Sequence, residues 1–279
     1  MFNKSEIRKL LITNDTVYEK LREKAIIIKK KNYGNQIFVR GIIEFSNYCR
    51  RDCLYCGIRK SQKINRYRLS EFEIIECAKN IYKSGVRTIV LQSGEDLYYS
   101  RKIIVNIISK IKKDMDCAIT LAIGERDIDD YKAFFDAGAD RFLIKHETSN
   151  EKVYEKLHPG DTLKNRLKNY ENLKKIGYQV GLGNIVGLPF TEIDDYINDI
   201  FLMKELDCDM AGIGPFLPAK GTPLSNYPTP NLNLVFKVLT FSRIILKDTN
   251  IPATTALYTL GGLSGLLMGI DCGCNVIMP

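Results

Sequence analysis

The chain has 279 residues, 45% hydrophobic and 27% charged, with a formal net charge of +8. That length fits one (β/α)8 barrel and is enough to bury a sizeable core. No segment reaches the roughly 18 apolar residues of a membrane span, and the N-terminal MFNKSEIRKLL lacks the apolar core of a signal peptide.

The chain is therefore expected in the cytoplasm, away from membranes. Its eight cysteines are expected as thiols or metal ligands, not disulfides. The basic residues read as scattered apart from Lys29-Lys30-Lys31 and Lys110 to Lys113, both taken as solvated helix faces. No basic stripe carries stacking aromatics, so no nucleic-acid partner is expected.

In chain order, amphipathic helices are predicted at 4–12 and 15–31, the second capped by Asn14 or Asp15. From there strand-length apolar runs alternate with helical periodicity. Strands are predicted near 37–45, 87–92, 117–122, 141–145, 179–186, 208–213, 251–255 and 274–278. Helices are predicted near 70–84, 100–113, 127–137, 163–177, 191–205, 230–247 and 259–269. Such alternation specifies a parallel sheet with crossover helices. Eight strands favour a closed barrel over an open doubly wound sheet. Residues 1–35 read as an N-terminal helical extension and 36–279 as the barrel domain.

The strongest signal is Cys49-Arg-Arg-Asp-Cys53-Leu-Tyr-Cys56. Chance yields a C-x3-C-x2-C triple roughly 0.007 times at this cysteine content. Three thiolates on one short loop suit three irons of a [4Fe–4S] cubane and leave the fourth iron open. S-adenosylmethionine (SAM) can chelate that iron, and one electron then cleaves its sulfonium C–S bond. The loop follows the first predicted strand, at the end of the barrel where active sites lie. A zinc site or a plain ferredoxin would need a fourth ligand, and the next cysteine, Cys77, falls in a predicted helix. The remaining cysteines, Cys77, Cys117, Cys208, Cys272 and Cys274, read as buried small apolar residues.

Around that loop the sequence resembles the HydE family of radical SAM maturases for [FeFe]-hydrogenase, within the biotin synthase and methylornithine synthase-like group. The resemblance rests on Gly41 to Lys60, Asn65-Arg-Tyr-Arg-Leu-Ser70, Leu91 to Asp96, Lys145-His-Glu-Thr148, Val186 to Phe190, Gly212 to Pro218, Asn250 to Ala256 and Asn275 to Pro279. It implies a (β/α)8 barrel with one [4Fe–4S] cluster on Cys49, Cys53 and Cys56. It also implies action on an organometallic iron–cysteine–carbonyl–cyanide precursor, with HydG and HydF as cooperating maturases and ferredoxin or flavodoxin as electron donor. By position it places Ser93, Gly94, Glu95, Ala122, Glu147 and Arg166 at SAM, beside Tyr55, which its place just before the third cysteine puts there. Tyr55 would pack on the adenine, Glu147 would bind the ribose and Arg166 the methionine carboxylate. Ala122 stands where relatives have Ser, and Lys145 where they often have Arg. Arg40, Met210, Thr254 and Thr255 are implied on the substrate side, and no second cluster is expected. His146 reads as a structural histidine and His158-Pro159 as a helix terminus.

Three alternatives stay open: a methylornithine synthase-like reaction, a biotin synthase-like reaction, and a non-catalytic iron–sulfur or SAM-binding module. Biotin synthase would need cysteines on strands that carry none here. The last predicted strand ends at Pro279 with no helix after it, so the C-terminal helix of the barrel is expected to be missing or truncated. On that reading the chain is a shortened, impaired form with apolar barrel surface left exposed, unless the N-terminal helices cover it.

Overall fold

The computed structural model describes residues 2–12 and 16–279, so the expected cap at Asn14 or Asp15 lies outside the described residues. The chain opens with helices α1 (Lys4–Ile12) and α2 (Thr16–Tyr33). In α2, Leu21, Ala25 and Lys29 are all buried, and their four-residue spacing sets them on one helical face. Lys29 thus departs from the solvated face expected of it. Its ammonium donates to Ile270 O at 2.8 Å, while Lys30 and Lys31 stay exposed.

The barrel follows as β1 (Phe38–Val39), β2 (Gly41–Ser46), α3 (Glu71–Lys83), β3 (Thr88–Ser93), α4 (Arg101–Asp114), β4 (Ala118–Ala122), α5 (Ile128–Asp136) and β5 (Arg141–Leu143). It continues through α6 (Glu151–Leu157), α7 (Leu163–Ile176), β6 (Gln179–Leu182), β7 (Ile185–Val186), α8 (Ile193–Glu205), β8 (Met210–Ala211) and β9 (Gly214–Pro215). It ends with α9 (Leu232–Leu246), β10 (Pro252–Ala253), α10 (Thr255–Asp271) and β11 (Val276–Ile277). Local signals start the helices where they should. Ser70 and Glu73 form a capping box on α3, satisfying two of the free N–H groups at its first turn.

Six strands pair in parallel in the order β2-β3-β4-β5-β6-β8. A parallel bridge between Met210 and Asn250 leads on to β10, β10 pairs with β11, and β11 pairs with β1. Because β1 runs into β2 across Arg40, the ring closes, and the open-sheet alternative falls away. Strands such as β3 and β4 bury successive residues, as strands covered by helices outside and packed side chains inside must.

Two expected strands are broken, and the one expected at 208–213 ends at Ala211 ahead of a separate, unanticipated β9. Arg40 separates β1 from β2, Gly183-Asn184 separates β6 from β7, and Gly212-Ile213 separates β8 from β9. At Gly183 a Cβ would lie 2.2 Å from Gly212 O, so only glycine lets the two chains approach there. Helix α6 was not anticipated, since its seven residues are too few for a clear period.

At the last strand, Cys274, Asn275 and Val276 are fully buried. Phe38, Val39, Tyr258, Leu263 and Leu267 are exposed. Helices α1 and α2 pack chiefly against α8 and α9. Of the five cysteines read as buried, Cys77 is exposed, on the outer side of α3. Among the described residues no helix is long and apolar enough to cross a membrane.

Candidate active site at the barrel mouth

The three-cysteine loop leaves the end of β2 and is pinned by neighbouring backbone. Arg50 N donates to Glu95 O at 3.1 Å and Leu54 N to Leu157 O at 2.9 Å. Glu95 N donates to Cys49 Sγ at 3.3 Å. At Gly94 a Cβ would lie 2.2 Å from Tyr48 O, so glycine is what lets the end of β3 lie against the loop. Gly94 N is itself used on Ser46 O, at 3.2 Å.

Cys53 and Cys56 line a cavity of about 370 Å³. Burial, then the neighbouring sulfurs of Cys56 and Cys49, push the Cys53 thiol up to about 12. Burial likewise raises Cys56. Two buried thiols held in their neutral form by their surroundings fit a site completed by cationic iron, which stabilises thiolates. Among the described residues no three His, Cys, Asp or Glu side chains converge as ligands of a single ion. A cubane asks for a different arrangement, with each thiolate on its own iron, so the donor set fits.

Behind the loop lies a buried network of arginines and acids. Arg51 donates to Glu95 Oε1 at 3.0 Å and to Glu125 Oε2 at 2.7 Å. Arg166, at the cavity wall, sits 3.2 Å from Glu125 Oε1 and 3.5 Å from Asp161 Oδ2, and donates to Tyr154 Oη at 2.9 Å. Burial opposes its charge, but Tyr154, Glu125 and Asp161 outweigh that and hold the guanidinium above its ordinary value. Burial pulls the Glu125 carboxyl upward in spite of the arginines.

Glu147 projects into the cavity from beyond β5 with φ +60°, a left-handed conformation that costs a non-glycine residue free energy. Glu147 N donates to Gly183 O at 2.9 Å and Ile185 N to Glu147 O at 3.0 Å, which fixes that backbone. Lys145 Nζ lies 2.8 Å from Glu147 Oε2 as an ion pair without hydrogen-bond alignment, since that oxygen accepts none. His146, fully buried, accepts from Gly183 N through Nδ1 at 3.4 Å and faces Asp199 Oδ1 at 3.6 Å through Nε2.

His158 does more than end α6. Its Nδ1 lies 2.8 Å from Tyr154 O. A carbonyl only accepts, so Nδ1 carries the proton and Nε2 accepts from Tyr55 Oη at 2.9 Å. Burial lowers the His158 pKa, which favours that neutral form. Tyr55, in the cysteine loop, is thereby hooked to α6.

The structure brings Tyr55, Ser93, Ala122, Lys145, Glu147 and Arg166 onto one cavity wall with Cys53 and Cys56. Gly94 and Glu95 lie behind the cysteine loop and brace it. On the substrate side, Arg40 Nη1 meets Met210 Sδ at 3.1 Å inside the barrel. Burial, then repulsion from Arg141, pulls Arg40 down to about 10, and among the described residues no carboxylate is paired with it. The two threonines separate: Thr254 Oγ1 is buried without a partner, while Thr255 is exposed on an outer groove with Tyr258 and Pro279. Glu125, Asp161 and His158 were missed as site residues. The one signal for the first two is a charged residue in a loop on the strand-end side of the barrel.

A closed parallel barrel with a three-cysteine loop at its mouth, two of the cysteines facing a charged cavity, has the fold of a radical SAM enzyme. The Radical SAM superfamily profile matches residues 43–203, and the chain belongs to that superfamily, whose enzymes use a [4Fe–4S] cluster and SAM. Within it the chain belongs to the HydE family. It is 44% identical over 280 residues, covering 100% of this chain and 80% of the relative, to the [FeFe] hydrogenase maturase subunit HydE of Thermotoga maritima. The 3-methylornithine synthase of Methanosarcina acetivorans is 30% identical, over 98% of this chain and 77% of that protein. Among solved structures, methylornithine synthase (PylB) aligns with a TM-score of 0.92 at 27% identity, over 99% of this chain and 82% of that one. The [FeFe]-hydrogenase maturase HydG aligns at 0.87 and 21% identity, over 99% and 64%, a likeness of fold alone.

Proposed function

We propose that this radical SAM enzyme matures the [FeFe]-hydrogenase active-site cluster, acting on an iron–cysteine–carbonyl–cyanide precursor. HydG would supply that precursor and HydF receive the product. Cys49, Cys53 and Cys56 would hold the cluster, which when bound supplies the electron that splits SAM. Glu147 would bind the ribose hydroxyls and Arg166 the methionine carboxylate. Tyr55, hooked to His158, would keep its ring against the adenine.

The full-length identity to HydE supports the reaction, and the single cavity running from Cys53 and Cys56 to Lys145, Glu147 and Arg166 carries the site assignment. Below it, a buried Arg40 with a thioether partner and no paired acid among the described residues has unused capacity for an anionic substrate group. The test is anaerobic turnover of the reconstituted protein with SAM, dithionite and the HydG product. SAM cleavage that accelerates with that product supports the proposal. The high structural similarity to methylornithine synthase favours one second reading, and formation of 3-methylornithine in place of that stimulation would assign it.

A further inference from the structure

Outside Lys29-Lys30-Lys31 and Lys110 to Lys113, the basic residues are not all scattered. The fold gathers a third group over the cysteine loop. Residues 50–68 hold seven Lys and Arg against the single acid Asp52, an excess of six in a chain whose net charge is +8. The segment after Cys56 does not leave the loop but folds back on it. Lys60 N donates to Arg51 O at 2.7 Å, and Arg59 Nε and Ser61 N donate to Asp52 Oδ1 at 2.8 and 3.0 Å. Gln62 Nε2 donates to Lys220 O at 2.6 Å, which brings Lys220 to the same face.

Some of this charge is spent internally. Arg51 and Arg59 face Glu95 and Asp52, and Arg68 faces Asp96. Lys60, Lys63 and Lys220 are exposed and have no ion-pair partner among the described residues. Beside them Ile64, Tyr67 and Tyr98 are 38%, 42% and 61% exposed. The Arg68 guanidinium lies between the Tyr48 and Tyr98 rings, 3.7 and 4.5 Å from their centroids. Exposed aromatics and arginine within a ring of unpaired like charge form a surface suited to a charged protein partner.

The reaction class says which partner needs this place. SAM cleavage consumes one electron, and the cavity side of the cysteine loop is where SAM and substrate enter. The segment that carries Lys60 and Lys63 follows Cys56 directly and folds back on the loop, so this basic face lies next to the three cysteines. We propose that Lys60, Lys63 and Lys220 mark the docking surface for an acidic one-electron carrier protein. The carrier is oxidised by one electron, and SAM is reductively split into methionine and a 5′-deoxyadenosyl radical. Brief electron-transfer encounters use small interfaces steered by charge. The inference rests on membership of the superfamily, not on the maturation reading. Neither readout below uses the maturation substrate, so the two fail separately.

The test uses reconstituted holoprotein and flavodoxin as the acidic probe, with charge-reversed Lys60→Glu/Lys63→Glu/Lys220→Glu and charge-neutral Lys60→Gln/Lys63→Gln/Lys220→Gln variants. Binding of oxidised flavodoxin, measured by calorimetry without turnover, should weaken about tenfold or more in the reversed variant and less in the neutral one. It should also fade in the wild type as salt is raised. The rate of 5′-deoxyadenosine formation should fall in parallel with reduced flavodoxin as donor and stay unchanged with dithionite. Wild-type flavodoxin affinity in both variants would overturn the proposal. So would an equal loss with dithionite, which would make the lysines structural. A short RNA that binds the wild type, loses affinity in the variants and leaves flavodoxin binding untouched would give the face to nucleic acid instead.

Discussion

Two buried arginines show how differently the two ends of this barrel are built. At the closing seam, Arg243 is fully buried and meets no carboxylate. Its Nε donates to Gly273 O at 2.8 Å, its Nη1 to Lys247 O and Thr249 O at 2.5 and 2.8 Å, and its Nη2 to Asn275 Oδ1 at 2.8 Å. Asn275 Oδ1 also accepts from Ile251 N at 2.9 Å. No side-chain polar atom of Arg243, Asn275 or Thr249 is left over. At the mouth, Arg166 is crowded by acids, yet the surroundings are incomplete. Glu147 Oε2, on the cavity wall, is buried without a hydrogen-bond partner. A seam whose only task is to hold the ring satisfies its polar atoms within the chain. A mouth that must receive a ligand leaves atoms for the ligand to satisfy.

The difference can be broken from the seam side first. Arg243→Ala would strand Gly273 O and Thr249 O, since Asn275 Oδ1 and Lys247 O keep Ile251 N and Asn32 Nδ2 as donors. At about 1–3 kcal/mol for each stranded acceptor, the melting temperature should fall by about 5 °C or more. A drop of a degree or two would mean the seam is not held this way. At the mouth the larger effect should fall on binding. Arg166→Ala should weaken SAM binding about tenfold to a hundredfold, read by calorimetry on the reconstituted protein, and unchanged affinity would remove Arg166 from the site. The smallest and sharpest test is Glu147→Gly. Relieving the left-handed backbone should return about 1 kcal/mol, so the melting temperature should hold or rise while SAM affinity falls. A less stable protein with full affinity would make Glu147 a structural residue.

What the sequence disclosed follows the range of each interaction. The β–α alternation and the cysteine spacing are local, so the barrel and the loop were both legible. The breaks at Arg40, Gly183 and Gly212 were not, because they depend on which strand lies alongside. Seven-residue α6 gave no period, and with it went the hook between His158 and Tyr55. Glu125 and Asp161 are single acids far apart in the chain, joined only where loops converge on Arg51 and Arg166. Thr254 and Thr255 read as a pair because they are adjacent, but at a helix start consecutive side chains point apart, and only Thr254 turns inward. The basic stretch at 50–68 is contiguous and was legible in the sequence; only its folding back on the cysteine loop and the approach of Lys220 needed the structure.

The most direct test of the mouth as the catalytic end is one comparison, wild type against Cys53→Ala. Both are reconstituted anaerobically with iron and sulfide, then analysed for iron, EPR signal and 5′-deoxyadenosine released from SAM with dithionite. The account predicts one [4Fe–4S] cluster and 5′-deoxyadenosine from the wild type, and neither from the variant. A Cys53→Ala protein that keeps a full cluster and full SAM cleavage would contradict it.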